Sequence, residues 1–114
     1  MKVYLAGPMR GYPNFNFPAF KEATTKLREE GYEVFSPAEK DIEKYGEDLF
    51  RKTDGDQAKA DSQGFNLREA LAMDLEFICK EAEGIFMLPG WEKSKGATAE
   101  KAIAEALGLW VKFL

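Results

Sequence analysis

The chain has 114 residues, 45% hydrophobic and 13% aromatic, which suits one packed domain and excludes a two-domain protein and a disordered chain alike. A net charge of −4 offers no basic face for a nucleic-acid polymer, while leaving room for one small anion. The absence of histidine removes Ser/His and Cys/His nucleophile pairs, imidazole acid–base catalysis and the commonest zinc shells, so any chemistry must run on carboxylates, tyrosines, lysines or backbone.

The opening "KVYLAG" is a short apolar run closed by Gly7 and Pro8, the pattern of a buried strand followed by a tight loop. From Asn16, read as an N-cap, Phe17, Phe20, Ala23 and Leu27 recur at helical spacing until Gly31. "YEVF" (32–35) reads as a second strand, closed by Ser36 and Pro37. Residues 38–66 are charged, with scattered apolar positions. They read as a variable insertion with a short helix near 38–45, a mobile or loosely packed stretch around 51–64 and room for a fifth strand. Leu67, Ala70, Leu71, Leu75, Ile78 and Ala82 then fall within one helical arc, and "GIFML" (84–88) is a strand ended by Pro89 and Gly90. A last helix near 96–107, capped by Gly108, leads into a final strand, "LWVKF". Strands alternating with helices predict a single α/β domain over 1–114, Rossmann-like or flavodoxin-like. Its sheet would be mostly parallel, of four or five strands, with helices on both faces.

Two carboxylates interrupt apolar stripes. At 100° per residue Asp74 lies inside the arc of the helix from 67 to 82, while Arg68, Ala72, Glu76 and Lys80 take the opposite face. Glu100 falls among Ala99, Ile103, Ala104 and Leu107, near a helix N-terminus that favours negative charge. Burying an unpaired carboxylate costs several kcal/mol, so each needs either a structural partner, such as Arg10 or a lysine for Asp74, or a function. In an open parallel sheet ligands bind outside the carboxyl ends of the strands, where Glu100 and the loop Gly7, Pro8, Met9, Arg10, Gly11 both lie. That loop offers close backbone approach and a guanidinium suited to phosphate. Ser94, Lys95 and Gly96 offer a hydroxyl and free N–H groups to an anion. Paired carboxylates beside an anion-holding loop suit cleavage of a glycosidic bond, which calls for no metal and no cofactor. "DGD" at 54–56 lacks the spacing of a calcium loop. The lone Cys79 and the lack of a secretory or membrane-spanning apolar run predict a cytoplasmic protein off the membrane.

The blocks "VYLAGPMRG", "ALAMDLEFICKEAEGIFMLPGW" and "SKGATAEKAIAEALGL" resemble the nucleoside 2-deoxyribosyltransferase-like proteins, especially a small subgroup common in bacteriophages and their hosts. The likeness covers nearly the whole chain except roughly 40–66. It implies a catalytic set of Tyr4 in the first strand, Asp74 in the "DL" of the middle helix and Glu100 in a G-x-x-x-E segment. By that resemblance Glu100 is the nucleophile that forms a glycosyl-enzyme, Tyr4 orients it, and Asp74 holds the sugar or assists proton transfer to the base. Ser94, six positions before Glu100, and Arg10 in a G-x-x-R-G loop are similar to the nucleotide N-glycosidases of that superfamily. They imply hydrolysis of a 2′-deoxynucleoside 5′-monophosphate, rather than passage of the sugar to a second base. A nucleotide sensor without turnover is the non-enzymatic alternative. Trp91 is open to two readings, stacking on a base or covering the site. The resemblance further implies a homodimer, and Phe15, Phe17, Trp91, Trp110 and Phe113 supply aromatic surface for either an interface or a core.

Overall fold

A computed structural model describes residues 1–114. Four strands, β1 (Lys2–Ala6), β2 (Glu33–Phe35), β3 (Gly84–Met87) and β4 (Trp110–Phe113), form one sheet in the order β2-β1-β3-β4. Every pairing is parallel, with Tyr4 opposite Phe35 on one side and Ile85 on the other. The helices are α1 (Phe17–Glu29), α2 (Pro37–Tyr45), α3 (Glu47–Thr53), α4 (Gln57–Ser62), α5 (Leu67–Lys80) and α6 (Lys95–Ala106). This is the expected α/β architecture, with four strands and no fifth. No helix is long and apolar enough to cross a membrane.

The period of two in a strand sorts the side chains of β1 and β3 onto opposite faces. Val3, Leu5, Phe86 and Leu88 join a core with residues of α1 to α4, whereas Tyr4, Ala6, Ile85 and Met87 join a second core with Ile78 of α5 and Ala97 and Ala104 of α6. Tyr4 is thereby turned toward the two helices that carry Asp74 and Glu100. The aromatic set divides as well. Phe15 and Phe17 are core residues, Trp91 and Trp110 are half-buried, and Phe113 is 60% exposed.

The segment expected to be loosely packed, with a possible fifth strand, is helical and contributes to the core. Phe50 is 1% exposed and meets Phe15, Phe17, Tyr45 and Phe65 with ring centroids 5.0–6.3 Å apart, and Thr53 and Ala60 are buried beside it. Burying one such phenylalanine stabilises the fold by roughly 2 kcal/mol, enough to hold two short helices that would not form alone. Local signals bound them: Asp54 closes α3 in the left-handed region, and the Asp56 side chain opens α4 as its N-cap by accepting from the Lys59 N–H.

Three other expectations are corrected. Asn16 does not cap α1 with its side chain; it sits at φ 62° and its Nδ2 donates to the Pro8 carbonyl at 2.9 Å. In α5 only Ile78 is fully buried, Leu67 is 40% exposed, and Ala82 lies beyond the helix end. In α6 the buried face is Ala97, Glu100 and Ala104, spaced i, i+3, i+7, while Ala99 and Leu107 are exposed. Glu100 is therefore one of three fully buried positions of α6, inside the packed face as expected. The cap by Gly108 is present, at φ 75°, with its N–H donating to the Glu105 carbonyl at 3.1 Å.

Candidate active site

A cavity of about 320 Å³ opens at the carboxyl ends of β1 and β3. From β1 the chain turns to β2 on one side of the sheet, and β3 lies on the other, so the cavity sits where the strand order reverses. Gly7 lets the loop after β1 close on the next strand, since a β-carbon there would lie 2.7 Å from the β-carbon of Leu88.

Tyr4, Asp74 and Glu100, from β1, α5 and α6, all line this cavity. The Tyr4 hydroxyl donates to Glu100 Oε2 at 2.6 Å in a buried setting, and Glu100 is 5% exposed. Burial pushes the Glu100 carboxyl up to about 8, the charge of Asp74 adds to the rise, and the bond from Tyr4 opposes it. Burial likewise raises Asp74 to about 7, against the pull of the nearby Tyr4 hydroxyl. The Tyr4 phenol is pushed well above its ordinary range by burial and by the two acids, so it stays a donor.

Gly7, Pro8, Met9, Arg10, Ser94, Lys95 and Gly96 line the same cavity. Gly11 does not. It turns the loop at φ 84°, and its N–H donates to the Gly55 carbonyl at 2.8 Å. Gly55, at φ 88°, packs where a β-carbon would overlap the Tyr12 carbonyl, and the Asn14 N–H donates to Asp54 Oδ1 at 2.6 Å. The segment between α3 and α4 is thus stitched to the loop that carries Arg10.

Ser94 caps α6 by accepting from the Ala97 N–H at 3.1 Å, which leaves its hydroxyl proton free to donate. The N–H groups of Lys95 and Gly96 belong to the first turn of α6 and lack intrahelical partners, as an anion site requires. Arg10, Lys93 and Lys95 are exposed at the mouth and none is paired with a carboxylate; in particular Arg10 is not the partner of Asp74. Trp91 is not a wall of the cavity. It tilts against Phe113 at 5.7 Å, with the Lys101 ammonium over its ring at 5.1 Å.

Residues 1–113 match the family described as a domain of unknown function (DUF4406). The chain belongs to that family. No curated protein and no solved structure matches it.

The principal residue missing from the sequence reading is Asp41 of α2. It lines the cavity, is 9% exposed, and is raised to about 8 by burial and by the charge of Asp74, against the pull of Lys44. Its signal was the one that revealed Asp74, a carboxyl within an apolar helical stripe, here Ala38, Asp41, Ile42 and Tyr45. Phe15, Phe50 and Phe65 complete an apolar wall. Chemically, the arrangement can hold an anion at the mouth and set an ionisable carboxyl against an electron-poor carbon below it.

Proposed function

We propose that this protein cleaves the N-glycosidic bond of a 2′-deoxynucleoside 5′-monophosphate and gives the sugar to water. The observation that carries this reading is the Glu100 carboxyl. It is buried at the cavity floor, accepts from Tyr4 at 2.6 Å with Asp74 nearby, and lies below a mouth with three unpaired cations. Acids and cations kept apart within one small cavity suit a substrate with an anionic end and an anomeric carbon that becomes positive.

The phosphate sits against Arg10, the Ser94 hydroxyl and the N–H groups of Lys95 and Gly96. The hydrogen bond from Tyr4 favours the ionised form of Glu100, against burial and the charge of Asp74. A carboxylate oxygen of Glu100 attacks C1′, the C1′–N bond breaks, and the bonding pair leaves with the base, which takes up a proton. Asp74 holds the sugar. Water then attacks C1′ of the glycosyl ester and loses a proton, freeing Glu100 and a deoxyribose 5-phosphate.

The test is incubation with each 2′-deoxynucleoside 5′-monophosphate, read by chromatography for free base, repeated with Glu100→Gln. Base release that requires Glu100 is expected, and a second free base added to the same tubes should gain no sugar. Formation of a new nucleoside or nucleotide would turn the reading to transfer, and binding without release would turn it to a sensor.

A further inference from the structure

Asp41 is the one acidic group of the cavity without a role in the reaction as written above. It receives no hydrogen bond and no ion pair from the rest of the chain, and Lys44, one turn along, is held by Glu69 at 3.1 Å. Its carboxyl oxygens keep some accessible surface and line the cavity, so they are placed for a partner from outside the chain.

Its position says which part of a substrate that is. Asp41 follows β2, Tyr4 belongs to β1, and Ser94, Lys95 and Gly96 follow β3, with β1 between the other two. With phosphate at the start of α6 and sugar over Tyr4 and Glu100, the base extends toward β2, among Phe50, Phe65 and Asp41. Resting on the N-glycosidic reading, we propose that Asp41 is the general acid that protonates the departing base, and the base that takes the proton of the water entering in its place.

The contrast with Glu100 supports this assignment. Glu100 accepts from Tyr4, which favours its charge, whereas Asp41 accepts from nothing and is faced by Asp74 of α5 and Glu100 of α6, with only Lys44 opposing. The two carboxyls thus differ in what holds them: Glu100 is oriented by a donor from β1, whereas Asp41 has no donor in the chain and faces the cavity. The proton balance closes. Asp41 gives its proton to a ring nitrogen or carbonyl oxygen of the base as the C1′–N bond breaks, then recovers one from the attacking water.

The test compares ordinary 2′-deoxyguanosine 5′-monophosphate with its N7-methylated form, whose base is already cationic and leaves as a neutral molecule without protonation. For Asp41→Asn, kcat on the ordinary nucleotide is expected to fall about 100-fold with little change in KM, and the loss to shrink to a few-fold on the methylated one. In the wild type an alkaline limb near 8 should appear with the ordinary substrate and vanish with the methylated one. Asp41→Glu should restore part of the rate. Equal losses on the two nucleotides in a variant whose circular dichroism and melting match the wild type, or no loss on either, would overturn the assignment while leaving a Glu100-dependent glycosidase intact. A wild type that releases base from neither nucleotide removes the glycosidic reading and this role with it.

Discussion

The floor and the mouth of the cavity are built on opposite principles. At the floor, Tyr4, Asp41, Asp74 and Glu100 come from four separate elements, are buried or, for Asp74, half-buried, and have no arginine or lysine among them. At the mouth, Arg10, Lys93 and Lys95 stand in solvent with no carboxylate paired to them. Mixing the two sets would neutralise both in salt bridges, whereas separation leaves each able to act on a ligand. Floor groups are suited to protonation and bond making, and mouth groups to charge at a distance that salt and solvent weaken.

The largest effect should come from the centre of the floor. Glu100→Gln keeps the shape and removes the attacking oxygen's charge, and a loss of about 1,000-fold or more in base release is expected, with the fold retained by circular dichroism. Tyr4→Phe keeps the ring, which stacks on Phe35 at 5.6 Å, and removes the donor to Glu100. A hydrogen bond to a charged group is worth about 1.5–3 kcal/mol, so kcat should drop roughly 10- to 100-fold. Arg10→Ala tests the mouth. For a 5′-monophosphate kcat/KM should fall about 10-fold, mostly through KM, while the matching nucleoside, lacking phosphate, is unaffected. Equal losses on both would place Arg10 outside phosphate binding.

The smallest expected effect is on stability and belongs to the floor alone. Asp41, Asp74 and Glu100 titrate at about 8, 7 and 8 in the folded chain, above their ordinary values of 3.8, 3.8 and 4.5. In that interval the native state holds more protons than the unfolded one. Their contribution is therefore complete below about pH 4 and is lost as pH rises through 7 to 8. Unfolding free energies from urea titrations at pH 5.5 and 8 should differ by at least about 1–2 kcal/mol in favour of the lower pH, and Glu100→Gln should reduce the difference.

The order of elements was legible in the sequence because the strands are short apolar runs closed by glycine or proline and α1, α5 and α6 are long enough to show a period. Asp74 and Glu100 were legible as acids within those periods. Asp41 carries the same mark, but α2 has nine residues amid dense charge, so one carboxyl among several does not stand out. Helices α3 and α4, of seven and six residues, span under two turns each and cannot display an amphipathic period, so their burial of Phe50 and Ala60 is a tertiary fact. The left-handed run Asn14, Phe15, Asn16, at φ 51°, 52° and 62°, was equally hidden, because nothing short of long-range contact holds a phenylalanine there.

The stitch of Gly55 to Gly11 and of Asp54 to Asn14 has an evolutionary corollary. It lets a helical hairpin remote in sequence steer the only arginine at the mouth, while Tyr4 hangs from the sheet and the acids from α2, α5 and α6. Lengthening or trimming that hairpin would re-address the protein to a differently sized ligand and leave its reactive machinery untouched.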